Sequence, residues 1–281
     1  MIIVTGATGP LNGATVDHLL ERVPASELVV VARDPSRAER FADRGVAVRR
    51  GDYAEPQSLP GAFDGADQLL LVSSSDPAAD AVSLHRSAIE AAVAAGVGRI
   101  LYTSHQGASP DSPFRPARDH AATEQVLADS GVAWTSLRNG FYAHSLSWLI
   151  GPWRETGVVT VPVDGPVSWT ARADAAEAAA AVLLSDGAYD GPVTIAASES
   201  PTFEDVAALA AQLAGRDVER VVVGEDAWLA AQVAGGTAEF MARFTLGIYQ
   251  AAHAGLFANE DTTLETVLGR APRTVGDLLL S

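Results

Sequence analysis

The chain has 281 residues, 48% of them hydrophobic, with a formal net charge of −16, no cysteine and no lysine. A diffuse acidic surface repels nucleic-acid phosphates, and an absent thiol removes disulfides, thiolate metal sites and cysteine nucleophiles. No apolar run reaches the roughly 18 residues a membrane span needs, and no basic leader precedes the opening MIIV, so a cytoplasmic protein without membrane insertion is expected. The elements then follow in order. Ile2–Thr5 is a strand candidate, Leu11–Arg22 has helical apolar spacing, and Glu27–Ala32 (ELVVVA) is a second strand. A short helix is expected over Pro35–Arg44, a strand over Val46–Arg50, a helix over Glu55–Phe63 and a strand over Gln68–Ser73. Asp80–Ala95 is a long helix, Arg99–Ser104 a fifth strand, Ala117–Asp129 a helix and Val132–Leu137 a sixth strand.

Strands that alternate with 10- to 15-residue helices build βαβ units, and strands that are apolar throughout are covered on both faces. The expected fold is α/β: a Rossmann-like, doubly wound parallel sheet over residues 1–140. Residues 141–281 are expected to form mostly a smaller substrate-binding lobe, with some segments returning to the main domain. That part holds the aromatic run FYAHSLSWLIGPW, strand-like GVVTVPV and PVTIAA, and helices at Asp174–Leu184, Phe203–Ala214 and beyond. Phe240, Phe244, Tyr249 and Phe257 are spread along the later helices.

The stretch VTGATGPLNG lies between the first strand and the first helix, where a dinucleotide fingerprint belongs. Gly6 permits the tight turn. Gly9 lets backbone approach a pyrophosphate, which the free N–H groups of residues 9 to 11 and the positive helix end then hold. Gly6, Ala7, Thr8, Gly9, Pro10 and Leu11 are thus coenzyme-binding candidates, with Pro10 suited to a first helical position. The third glycine of the motif is replaced by Asn12, while Gly13 is rotated by about 100° around the helix. Helix–sheet packing is therefore expected to relax while phosphate binding survives.

Past the second strand, Arg33 is the first polar side chain and is suited to a 2′-phosphate, which favours NADP(H) over NAD(H). Asp34 is either a ribose acceptor or a helix N-cap before Pro35. Asp52, after the third strand, is expected beside the adenine or as a loop-end cap. Ser73, Ser74 and Ser75 close the fourth strand, and Ser104 the fifth, at the carboxyl edge where such sheets bind ligands. The nicotinamide end is expected along Leu137, Arg138, Asn139, Gly140, Phe141 and Tyr142. Arg138 has a core ion pair as its alternative role.

These segments together resemble the NmrA-like branch of atypical short-chain dehydrogenases, and most of all the type 2 NAD(P)H:quinone oxidoreductases. The resemblance is carried by TGATGPL, VPASELVVVARDP, LLLVSSS, SLHRSAIEAAVAAGV, YTS, DHAATEQVLADSGVAWTSLRNGFY and TARADAA, in consistent order over nearly residues 1–180. It implies a small quinone-like acceptor, reduced by hydride from NADPH without flavin or metal, and admits a homodimer. Its alternatives are a non-catalytic NADP(H)-binding redox sensor and a reductase of another carbonyl or imine. Ordinary short-chain dehydrogenases use a Tyr and a Lys four residues later, and a chain without lysine excludes that device. The resemblance instead places His120 near the nicotinamide, as proton donor or coenzyme hydrogen-bond partner, with Asn139 and Tyr142 as the other catalytic candidates. Gly140 is expected to permit close approach, and Asn139 to bond the carboxamide or a substrate oxygen. Phe141, Tyr142 and Trp169 are candidates to stack on the acceptor, with Trp169 standing where relatives carry a smaller residue. Trp148 and Trp153 are expected in the core, Glu124 in a structural role, and Arg172 and Asp174 at a helix cap. The six histidines (His18, His85, His105, His120, His144, His253) lack metal-ligand spacing.

Overall fold

A computed structural model of the chain describes residues 1–74 and 79–280; Ser75, one of the expected coenzyme contacts, lies outside the described residues. Its strands are β1 (Ile2–Thr5), β2 (Leu28–Ala32), β3 (Ala47–Arg50), β4 (Gln68–Leu71), β5 (Arg99–His105), β6 (Ala133–Asn139), β7 (Val158–Val161), β8 (Gly191–Ile195) and β9 (Glu219–Val222). Seven of them form one sheet in the order β3-β2-β1-β4-β5-β6-β8, and β7 pairs with β9 in a separate ladder. The pairs β1/β2, β1/β4, β2/β3 and β4/β5 are all parallel. The order reverses between β1 and β4, so the loops after these two strands diverge. A reversal of this kind leaves a crevice at the carboxyl edge, the place where sheets of this type bind ligands.

The chain divides into two compact units. The first comprises Met1–His105, Asp119–Arg138 and Arg172–Ile195. Its core is mostly aliphatic: Ile3, Val29, Val31, Leu69, Leu71 and Ile100 come from the sheet, with Ala88, Ile89 and Ala92 from the helix Ala81–Ala94. Burying one such large aliphatic side chain contributes about 1.5–3 kcal/mol. On the other face the helix Pro10–Leu20 packs against the helix Arg172–Leu183. The latter is rich in alanine, the best helix former, and Ala175, Ala176, Ala178, Ala179 and Ala180 are all buried. Small side chains there let two helix backbones approach closely.

The second unit comprises Gln106–Arg118, Asn139–Ala171 and Ala196–Ser281. Its core is aromatic: Phe114, Phe141, Trp153, Trp169, Phe203, Trp228, Tyr249 and Phe257 are buried together with shorter apolar residues. The helix Phe203–Ala214 opens on a capping box, Thr202 and Asp205 bonding each other's backbone N–H, and ends on Gly215 at φ 62°.

Residues 172–195, including β8 of the main sheet, group with the first unit, as the expectation of returning segments allows, while residues 106–118 group with the later chain. The helix expected over Pro35–Arg44 is a 3₁₀ turn, Pro35–Ala38, followed by a short helix, Glu39–Ala42. β9 was not expected at all; its residues alternate in neither direction and pair only through β7. Trp153 is buried as expected, whereas Trp148 is 49% exposed. Among the described residues, no helix is long and apolar enough to cross a membrane.

Candidate coenzyme site

Gly6 follows β1 with φ 66°, a conformation only glycine adopts without strain, and a Cβ there would lie 2.6 Å from Val72 Cγ1. Gly9 is the N-cap of the helix Pro10–Leu20, in extended conformation, and a Cβ on it would meet nothing closer than Gly6 O at 3.3 Å. The backbone of this turn is therefore bare toward the crevice. The anion donors are not the set expected from sequence. Gly9 N–H is spent on Gly6 O at 2.9 Å, and Pro10 has none. Gly13 N–H closes the first helical bond onto Gly9 O. The first-turn N–H groups of Leu11 and Asn12 remain, at the positive end of the helix dipole. They fit a diphosphate.

Asn12 does not loosen the packing. Its side chain is buried and Nδ2 donates to Thr5 O at 2.8 Å, tying helix to strand end. Gly13 takes the role of the packing glycine, since a Cβ there would lie 2.8 Å from Ala7 O. The close approach is displaced by one residue rather than lost.

At the end of β2, Asp34 caps the following turn, with Oδ1 accepting both Ser36 N–H and Ser36 Oγ–H. These two bonds hold its carboxyl below the usual carboxylate range. Of its two expected roles, it therefore fills the N-cap. Arg33 is exposed and makes no hydrogen bond or ion pair among the described residues. Gly51 N–H bonds Ala32 O, which sets Asp52 beside the end of β2, and Asp52 Oδ1 accepts Ala54 N–H in a local turn. Tyr53, which the sequence did not single out, joins three chain segments beneath the loop. Its hydroxyl lies 2.7 Å from Thr5 Oγ1 and 3.2 Å from Val72 O, and Thr5 Oγ1 in turn receives Val72 N–H.

After β4, the Ser73–Ser74 backbone is pinned by side chains from neighbouring elements. Ser73 N–H donates to Thr103 Oγ1 at 2.8 Å, and Ser74 N–H donates to His85 Nε2 at 2.7 Å. Ser104 and Arg138, expected to face coenzyme, are committed elsewhere. Both donate to the buried carboxylate of Glu124, as does Ser136 Oγ. Leu137 is 1% exposed in the same strand. Glu124 needs these partners because a buried carboxylate without them carries a heavy desolvation cost. Arg138 thus takes its alternative role, the ion pair.

His120 is half-buried on the helix Arg115–Asp129, with Nδ1 2.8 Å from Tyr102 OH. Its ring stacks on His105, with centroids 6.2 Å apart and planes at 25°. Tyr102 OH also lies 3.4 Å from His85 Nδ1. Burial strips water from these imidazoles and pulls His85 and His105 down to about 4. His120 falls well below its ordinary value, by burial first and then by the neighbouring His105 and His85. All three are neutral at physiological pH, so His120 offers a neutral N–H donor rather than an imidazolium. His85 was legible in one respect. It is a polar residue on the same helical stripe as Ala88, Ile89 and Ala92.

In the second unit, Gly140 serves packing rather than ligand approach. A Cβ on it would fall 2.0 Å from Thr170 Oγ1 and 2.9 Å from Ser168 O. Phe141 is also occupied: its carbonyl accepts Thr170 N–H, and its ring packs on Phe114, Trp169 and Phe257. Trp169 is 1% exposed and lies edge-on to Phe141 and Phe203, in the core rather than stacked on a ligand. Asn139 Nδ2 donates to Tyr142 OH at 3.3 Å, while its buried Oδ1 has no partner among the described residues. Tyr142 is half-buried and its ring stacks on the exposed His144 at 5.8 Å. Of the three aromatic residues expected at the acceptor, only Tyr142 keeps an accessible ring. Among the described residues no group of acidic or histidine side chains could hold a metal ion.

Comparison with known proteins adds to this geometry. The NAD(P)H-binding family pattern matches residues 6–186. Quinone oxidoreductase 2 of Escherichia coli strain K12 is 36% identical over 283 residues, covering 99% of this chain and 96% of that protein. The crystal structure of the NADPH-dependent E. coli quinone oxidoreductase complexed with NADPH superposes with a TM-score of 0.92 at 34% identity, covering 100% of this chain and 99% of that one. The NAD(P)H azoreductase of Xenophilus azovorans is 31% identical, over 99% of this chain and 96% of that protein.

Proposed function

The chain belongs to the NAD(P)H-binding, NmrA-like family, and on that premise we propose that it is an NADPH-dependent reductase of quinones or similar small electrophilic acceptors. The observation that carries this reading is likeness along the whole chain, in sequence and in fold, to an NADPH-dependent quinone oxidoreductase. Bound NADPH would supply a hydride from its nicotinamide ring, with no flavin required.

The chain's own residues have simple tasks under this reading, because a quinone accepts hydride readily and positioning does most of the work. Gly6 and Gly9 keep the turn bare, and Leu11 and Asn12 N–H hold the diphosphate. Arg33 pairs with the 2′-phosphate, which sets NADPH above NADH, and Asp52 lies along the adenine end. The Ser73–Ser74 backbone, fixed by Thr103 and His85, borders the nucleotide. His120 donates a hydrogen bond to the acceptor oxygen as negative charge develops on it. Within the second unit, Asn139 offers to an amide the Oδ1 that has no partner among the described residues, and Tyr142 offers its ring to a flat acceptor.

Rapid mixing of the protein with NADPH and a benzoquinone tests the reading. Loss of nicotinamide absorbance well above the protein-free rate is expected. No loss beyond that rate, with NADPH bound, would overturn it in favour of a redox sensor.

A further inference from the structure

The side chains around His120 fix one another's hydrogen-bond directions, starting from a group that can only donate. Ser74 N–H has no acceptor capacity, so His85 Nε2, 2.7 Å away, accepts from it. The proton of His85 therefore sits on Nδ1, which donates to Thr123 Oγ1 at 2.9 Å. The hydrogen of Thr123 goes on to Asp119 O at 2.8 Å. Tyr102 OH lies 3.4 Å from the protonated Nδ1 of His85 and 2.8 Å from Nδ1 of His120. The protonated Nδ1 of His85 cannot accept the phenol's hydrogen, and Thr123 Oγ1 already receives the His85 proton, so the phenol gives its hydrogen to the nearer imidazole. His120 Nδ1 is the acceptor, and the single proton of that imidazole resides on Nε2.

We propose that Tyr102 and His85 are positioning residues, which hold His120 in the Nε2–H tautomer and so present a fixed donor to the oxygen of the acceptor being reduced. The inference rests on the donor role given to His120 above. Its physical content is preorganisation. An imidazole free to change tautomer spends part of its time with a lone pair toward the developing oxyanion, which repels it. Here the ring is also held from its sides, with centroids 5.7 Å from Tyr102 and 6.2 Å from His105. Tyr102 is fully buried, which leaves its hydroxyl no water to turn to. The same chain ties His120 to Ser74, so the backbone at Ser74 and the donor are set together. No proton leaves this chain in the step. The tyrosine keeps its hydrogen, and His120 contributes a hydrogen bond while the reduced acceptor takes its proton from water.

Long-range ¹H–¹⁵N NMR of the imidazoles, recorded on the protein with NADP⁺ bound, reads the tautomer without any variant. Wild-type His120 is expected to be protonated at Nε2 and bare at Nδ1; protonation at Nδ1 overturns the proposal. In Tyr102→Phe the two tautomers should mix, with kcat down roughly tenfold, as for loss of an outer partner of a site residue, and KM for NADPH unchanged. A Tyr102→Phe protein that keeps pure Nε2–H, or that scrambles the tautomer at full kcat, overturns the positioning role. His120→Ala separates the two readings: full activity in that variant places the fault in the donor assignment, whereas lost activity alongside an unchanged Tyr102→Phe places it in the tautomer lock.

Discussion

The two units of this chain solve the problem of order by different means. The first stacks aliphatic strands between helices and spends its polar side chains on fixing loop backbones: Thr5, Tyr53, Thr103 and His85 each hold a strand end in place. The second has few long strands and packs large rings edge to face, from Phe114 through Phe141 and Trp169 to Phe203, Tyr249 and Trp228. The contrast teaches that a glycine's meaning depends on its unit. In the first, a Cβ on Gly9 would meet nothing closer than Gly6 O at 3.3 Å; in the second, a Cβ on Gly140 would fall 2.0 Å from Thr170 Oγ1.

Substitutions at those two glycines give the sharpest way to break the comparison. Gly140→Ala drives a Cβ into Thr170 Oγ1, which is already engaged with Ser168 O and Ala197 N–H. We expect a loss of about 3 kcal/mol or more in chemical denaturation, and a wild-type midpoint would show that the second unit is loosely packed there. Gly9→Val has the opposite signature. The backbone at φ −89°, ψ 163° suits valine, so the melting temperature should hold while NADPH binding weakens roughly a hundredfold, equivalent to about 2.7 kcal/mol. Retained affinity would reduce the loop to a turn.

Arg33→Ala refines the same claim. Loss of one charge-assisted pair is expected to weaken NADPH binding by about 1.5–3 kcal/mol with NADH little changed, and equal losses for both coenzymes would remove the 2′-phosphate role. A further effect, of comparable size, concerns acid. His85 has its folded pKa depressed, from 6.5 to about 4, by burial, so its contribution to stability is whole above about 6.5 and is lost as pH falls toward about 4. That contribution is on the order of 3 kcal/mol. Thermal melts across this window should show a downward slope that steepens below pH 6.5, and a flat profile would mean that the imidazole is solvated.

Much of the first unit was legible because its signals are local. TGATGPL marks a turn whose glycine, proline and helix start all act within six residues, and apolar strands alternate with helices at regular spacing. Asp34 was ambiguous between cap and ligand only until Ser36 supplied both cap bonds. What escaped was set by partners distant in sequence. The packing role of Gly13 depends on Ala7 O, and that of Gly140 on Thr170. Ser104 and Arg138 stand at the correct strand ends, yet the buried carboxylate of Glu124 draws both away from the edge. The aromatic run after β6 offered several rings, and nothing in its spacing separated Trp169, which fills the core, from Tyr142, which is half-buried. His85 and Tyr102 meet His120 only because the Ala81–Ala94 helix, β5 and the Arg115–Asp129 helix converge.

The account stands or falls on coenzyme held by the turn after β1. Isothermal calorimetry with NADPH and with NADH on folded protein tests it most directly. Saturable heat with both coenzymes, tighter for NADPH, is the predicted result; no heat with either would contradict it.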